Sequence, residues 1–221
     1  MQPLLVRADP SVREVVNLEE LPWESSPSPG VDRRMLDRVG DEVARATTVV
    51  RYERGSSFES HEHALGEEFL VLEGIFSDEH GDYPPGTYVR NPPGSSHAPF
   101  TREGCTIFVK LRQFEDTDLA SMVVDTRSAD FRPGLVEGLS VLPLHEHAGV
   151  STALVRWAPG CTFQPHTHFG GEEILVLEGV FSDERGDYPA GTWLRNPHLS
   201  QHHPFSTPGC LIYVKVGHLG G

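Results

Sequence analysis

The sequence predicts an all-β fold made of two tandem antiparallel barrels that arose by internal duplication. Three observations predict it. Residues 55–110 return as residues 160–215, 105 positions later, with 34 of 56 positions identical and no gap, a match that chance does not produce. Each copy breaks into short segments rich in β-branched and aromatic residues, such as TTVVRYE, EFLVLEGIF and CTIFVKL, divided by the turn signals SDEHGDYPPG and NPPG. The 221 residues also include 22 glycines and 18 prolines, enough for a turn between every pair of short strands.

Taken in chain order, the segment around residues 12–18 and its counterpart around residues 122–126 are each expected to add a strand to the neighbouring barrel. Residues 32–45 are the one stretch resembling a helix, but Gly40 and a weak 3.6-residue periodicity argue against it. The first repeat follows, and the polar stretch FEDTDLAS interrupts strand patterning near residues 115–122. The flanks repeat more loosely: Val15-Val16-Asn17 resembles Val123-Val124-Asp125, and Pro29-Gly30-Val31 resembles Pro133-Gly134-Leu135. A unit of about 100 residues is too long for a solenoid repeat and suits a domain with its own core. The expected division is therefore residues 1–118 for the first domain and 119–221 for the second.

Composition excludes several classes of function. The net charge of −14, with no run of lysine and arginine, disfavours nucleic acid and anionic membrane surfaces. No stretch approaches the roughly 18 apolar residues of a membrane span, and the opening MQPLLVRADP lacks a secretory apolar core. A cytoplasmic location is expected. Cys105, Cys161 and Cys210 are an odd, widely spaced set, read as buried thiols rather than a redox or zinc-finger motif.

Six of the twelve histidines recur at the repeat offset: His61, His63 and His97, then His166, His168 and His202. The others do not, and the pair His145 and His147 has no glutamate at matching spacing. Alternate residues of a strand share a face, so His61 and His63 point the same way, about 7 Å apart. Glu67 and Glu172 share that parity, and His97 and His202 close each set from a distant segment. Three imidazoles and one carboxylate suit Zn, Fe, Mn or Ni, with one ion per barrel and Zn or Fe favoured. Such a set leaves coordination positions open. An ion that only braces the barrel is the competing reading. Glu68 and Glu173 are expected to face away from the ion, and Phe69, Val71, Ile174 and Val176 to line the interior.

With these residues in place, the chain resembles the cupin superfamily. Its first motif, G(x)5HxH(x)3–4E(x)6G, is matched by Gly55, His61, His63, Glu67 and Gly74, and again by Gly160, His166, His168, Glu172 and Gly179. The second motif, G(x)5PxG(x)2H(x)3N, is matched by Gly86, Pro92, Gly94 and His97. The second copy keeps Gly191, Pro197 and His202 but has Leu199 for glycine, and both copies replace the final asparagine, by Thr101 and Ser206. Within the superfamily, GEEFLVLEGIFSDEHGDYPPGTYVRNP and its second copy resemble the ChrR-like cupins, named after an anti-sigma factor. That resemblance implies a metal-binding regulatory protein that senses stress, an oxidant or a small-molecule ligand at the ion, with a link to a sigma-factor pathway. The anti-sigma factor's HxxxCxxC zinc motif is not found in this sequence. The alternative it implies is a non-haem dioxygenase that cleaves carbon–carbon bonds in diketone-like or hydroxyacetophenone-like substrates. A homodimer is compatible with both.

Overall fold

The computed structural model describes residues 3–220. Among these, the only helical element is a 3-10 turn at Leu18–Glu20, capped by the Asn17 side chain. The 32–45 stretch is a strand, Val31–Val39, joined by a short turn to Arg45–Tyr52. A bulge between Met35 and Asp37 breaks its strict alternation, which is why the sequence reads there as weakly helical.

Two compact units form, and they cross the 1–118 and 119–221 division of the sequence. One holds residues up to 8 with 22–129, the other 9–21 with 130 onward. Both are antiparallel throughout. In the first, the sheet order is Leu5–Val6, Val31–Val39, Arg45–Tyr52, Cys105–Leu111, Glu67–Gly74, Thr87–Asn91, Met122–Asp125. In the second it is Arg132–Pro133, Leu139–His147, Val150–Trp157, Cys210–Val216, Glu172–Asp183, Thr192–Asn196, Glu14–Asn17. The two edge strands therefore come from across the sequence division: Glu14–Asn17 pairs with Thr192–Asn196, and Met122–Asp125 with Thr87–Asn91. Each supplies backbone partners to an edge that would otherwise be open.

Strand alternation builds each core. Val50, Phe69, Val71, Val89, Ile107 and Val109 turn into the first barrel, and Trp157, Ile174, Val176, Phe181, Leu194 and Ile212 into the second. Each such side chain stabilises the fold by about 1.5–3 kcal/mol relative to exposure. The three cysteines are buried free thiols.

The last glycine of the first motif has a steric cause. Gly74 and Gly179 have φ of 67° and 71°, and a Cβ there would run into the carbonyl oxygens of Gly104 and Gly209. Only glycine lets these strands approach so closely while turning left-handed.

Candidate metal centres

The long central strands begin at the glutamates, and a small two-stranded ribbon brings the histidines to them. In the first unit His61–His63 pairs with Ser95–His97, in a register that sets His97 opposite His61. In the second, His166 is set opposite His202 in the same way. The geometry follows from the tight turn after each H-x-H: Gly66 and Gly171 donate backbone N–H to the carbonyls of His63 and His168, returning the chain to Glu67 and Glu172.

Both quartets converge. The donor atoms of His61, His63, Glu67 and His97 lie within 4.8 Å of one another, as do those of His166, His168, Glu172 and His202. Glu67 Oε1 is 3.7 Å from Nε2 of both His63 and His97. Glu172 Oε2 is 3.5 Å from His168 Nε2 and 3.8 Å from His202 Nε2. These spacings are too long for hydrogen bonds. Two donors each about 2.1 Å from one ion stand about 3.0–3.6 Å apart at 90–120°, close to what is seen.

The donor chemistry also fits an ion. Nε2 of His63, His168 and His202 is buried with no hydrogen-bond partner, a state that native proteins rarely tolerate. Burial, with His61 adding to it, lowers His63 to about 4. Burial, with His202 and His166 beside it, lowers His168 to about 3. Burial likewise lowers His97 and His166, so these imidazoles are held neutral, the form that ligates. Burial raises Glu67 and Glu172, opposed by His97 and His202 and by hydrogen bonds from Asn91 and Asn196. A divalent ion would favour the carboxylate at both. The two quartets could hold one metal ion per barrel.

A second set of residues orients these groups. Asn91 Nδ2 donates to Glu67 Oε1 at 3.0 Å, and Asn196 Nδ2 to Glu172 Oε2 at 2.9 Å. Asp78 lies 3.3 Å from His97 Nδ1, and Asp183 lies 3.5 Å from His202 Nδ1. Each aspartate is fixed by its own hairpin, accepting from a backbone N–H two residues on and from the hydroxyl of Tyr83 or Tyr188. Burial opposes ionisation of Asp183, but the His202 imidazole 3.5 Å away, hydrogen bonds from Tyr188 and the Arg185 backbone, and Arg13 nearby hold it at about 2. His61 and His166 turn Nδ1 to the backbone oxygens of Glu59 and Gln164, at 3.2 and 3.0 Å. Such carboxylate and carbonyl partners fix which nitrogen faces an ion.

Sequence reasoning missed this outer layer. Asp78 and Asp183, Tyr83 and Tyr188, and Asn91 and Asn196 all recur at the repeat offset, a signal that was available. Arg13 has no such mark. It donates to Tyr188 Oη at 2.7 Å and Asn196 Oδ1 at 3.0 Å, and reaches Asp183 at 3.6 Å. Glu68 and Glu173 sit outside the quartets. They are buried rather than on the surface, accepting from Tyr88 Oη at 2.6 Å and from Trp193 Nε1 at 3.1 Å. His80, His198 and His203 are exposed, and His198 accepts from the Gly170 N–H.

The second barrel also contains a cavity of about 130 Å³ that reaches His166, Glu172 and His202. Its walls are otherwise apolar or aromatic, among them Val155, Trp157, Phe163, Phe181, Ile212 and Val214. Phe69 and Val71, Ile174 and Val176 lie in the cores of their barrels, as their parity requires.

The fold is shared with solved structures of low sequence identity. A protein from Nostoc punctiforme, described as a candidate dioxygenase, superposes with a TM-score of 0.79 at 14% identity, over 95% of this chain and 84% of that one. Protein Ylba from E. coli gives 0.70 at 17% identity, over 95% and 92%. An oxalate decarboxylase variant from Bacillus subtilis gives 0.63 at 13% identity, over 93% and 77%. No curated protein matches the sequence. The family model for the ChrR cupin-like domain matches twice, over residues 11–115 and 119–220. Nearly the whole chain is thus covered by two copies of that domain, each with its own histidine and glutamate quartet, and the protein belongs to the ChrR cupin-like family.

Proposed function

We propose that the protein is a regulatory bicupin of the cytoplasm that holds one divalent ion, Zn or Fe, in each barrel and senses a small ligand or an oxidant there. One observation carries this reading. The cavity of the second barrel meets the quartet directly, and its remaining walls are apolar or aromatic, without a further acid or base. An ion in that position supplies a Lewis-acidic point at which an oxygen donor can bind. The protein's own residues would hold it: Asp183 and Asn196 orient His202 and Glu172, and apolar walls line the approach to it. A link to sigma-factor control rests on family resemblance alone. No helix among the described residues is long and apolar enough to cross a membrane.

The apolar lining of the cavity also supports a second reading, a non-haem dioxygenase acting on diketone-like or hydroxyacetophenone-like compounds. The two separate on one experiment. Protein purified without a histidine tag is analysed for metals, loaded anaerobically with Fe(II), and assayed for oxygen uptake with simple β-diketones and hydroxyacetophenones. The regulatory reading expects no turnover above about 1 s⁻¹, the lower end of ordinary enzyme rates. Faster uptake that disappears in His166→Ala makes the protein a dioxygenase.

A further inference from the structure

We propose that the cavity of the second barrel binds a small carboxylate with a compact apolar body, held between the quartet's ion and the indole N–H of Trp157. The proposal rests on the metal-binding reading above and adds to it the class of ligand and the residue that selects it. Trp157 is 6% exposed and lines the cavity, and its Nε1 is buried with no hydrogen-bond partner among the described residues. A buried donor left unpaired is costly, and each one in a native protein calls for an explanation. An indole nitrogen donates and never accepts. The missing partner is therefore an acceptor, and the cavity that Trp157 lines is where it can be supplied.

Size and charge narrow the class. The cavity, at about 130 Å³, is comparable to the roughly 150 Å³ that accepts benzene in an engineered apolar core. It suits a body of about six non-hydrogen atoms. A divalent ion beside the Glu172 carboxylate keeps one net positive charge, while Asp183 behind His202 is balanced by Arg13 at 3.6 Å. The other walls bring no charge. A monoanion neutralises the site, and a carboxylate offers one oxygen to the ion and the other to Trp157.

The first barrel differs at a position that lines the cavity and at another position of the core. Tyr52 stands where the second barrel has Trp157, and Phe69 stands where it has Ile174. The Phe69 ring packs 4.7 Å from Phe76, the counterpart of the cavity-lining Phe181. Tyr52 can accept as well as donate, and so lacks the indole's demand for an acceptor. The selectivity belongs to the second barrel.

The test uses the full chain loaded with Zn(II) and isobutyrate, a six-heavy-atom carboxylate, as probe. Calorimetry gives affinity and stoichiometry, and ¹⁵N-labelled tryptophan gives three indole signals to follow, since the chain has three tryptophans. The expected result is one isobutyrate per chain, a downfield shift of the Trp157 indole proton alone, and at least tenfold weaker binding of the neutral isobutyramide. Trp157→Phe should weaken isobutyrate at least tenfold with the zinc content unchanged. An unmoved Trp157 signal, or equal affinity in wild type and Trp157→Phe, overturns the proposal. If Trp157→Phe does not fold, the wild-type indole shift alone decides. Bound zinc without isobutyrate binding overturns this inference only, whereas a chain that binds no zinc overturns the metal reading beneath it as well.

Discussion

Arg13 shows how much one side chain outside a motif contributes to a site. Through Tyr188, Asn196 and Asp183 it braces the groups that orient Glu172 and His202, while Ser121 takes its place before the corresponding strand of the first unit. Removing an outer partner of a metal ligand commonly costs about 10–100-fold in affinity. Arg13→Ala should therefore weaken metal at the second site by about tenfold or more and leave the first unchanged, as read by competition with a chromophoric chelator. Equal affinities would show that Arg13 is structural only. The quartets were legible in sequence because duplication separates them from incidental histidines. The aspartates were duplicated too, but their role appears only once the SDEHGDY and SDERGDY hairpins fold back on His97 and His202. The thiols carry a pH prediction. Burial pushes Cys105 and Cys210 up to about 11 from an ordinary 9. Between those values the unfolded chain has released protons that the folded chain keeps, so stability falls as pH rises from about 9 to 11. The loss is on the order of 2 kcal/mol per thiol. Cys105→Ala with Cys210→Ala should flatten that part of a stability-versus-pH curve measured by urea unfolding.

Among the elements, the exchanged edge strands have the largest consequences. Glu14–Asn17 is hydrogen-bonded along its length to Thr192–Asn196, and Leu18 beyond it is buried and donates its N–H to Gly191. Deleting residues 1–20 should lower stability by about 3 kcal/mol or more, the scale of losing a packed element, and an unchanged melting temperature would mark the segment as dispensable. Sequence made the exchange foreseeable, since the similar flanks around Val15 and Val123 precede each repeat. It did not make the compact units contiguous, because a strand's partner is set by which sheet edge is open and not by distance along the chain. The bulge at Met35 to Asp37 was hidden for a related reason. Two residues opposite one disturb the period-2 signal from which a strand is read. Gly179→Ala tests the close approach of Glu172–Asp183 to Cys210–Val216. Its Cβ would meet the Gly209 carbonyl at a left-handed φ of 71°. The variant should lose about 2 kcal/mol or more by urea unfolding, and a smaller loss would mean that the strands shift apart readily.

For the molecule as a whole, the question is whether duplication made two independent sites or one site and a relic. Each quartet draws all four donors from its own compact unit, and each has its own aspartate and asparagine behind it. Neither site borrows a ligand from the other. The net charge of −14 falls to −10 on binding two divalent ions (−14 + 4), so uptake of both relieves self-repulsion of the acidic chain. Native protein should accordingly carry close to two ions. At a free metal concentration about a thousandfold above Kd, each ion stabilises its unit by about 4 kcal/mol, so chelation should lower the melting temperature clearly. His97→Ala and His202→Ala should each reduce bound metal toward one ion per chain, measured by elemental analysis after dialysis, and the surviving site should keep its wild-type affinity. Loss of both ions in either single variant would mean that the sites are coupled. One ion in the wild type, with the Glu172 quartet empty at saturating metal, would mean that the second barrel kept the residues of a metal centre without its use.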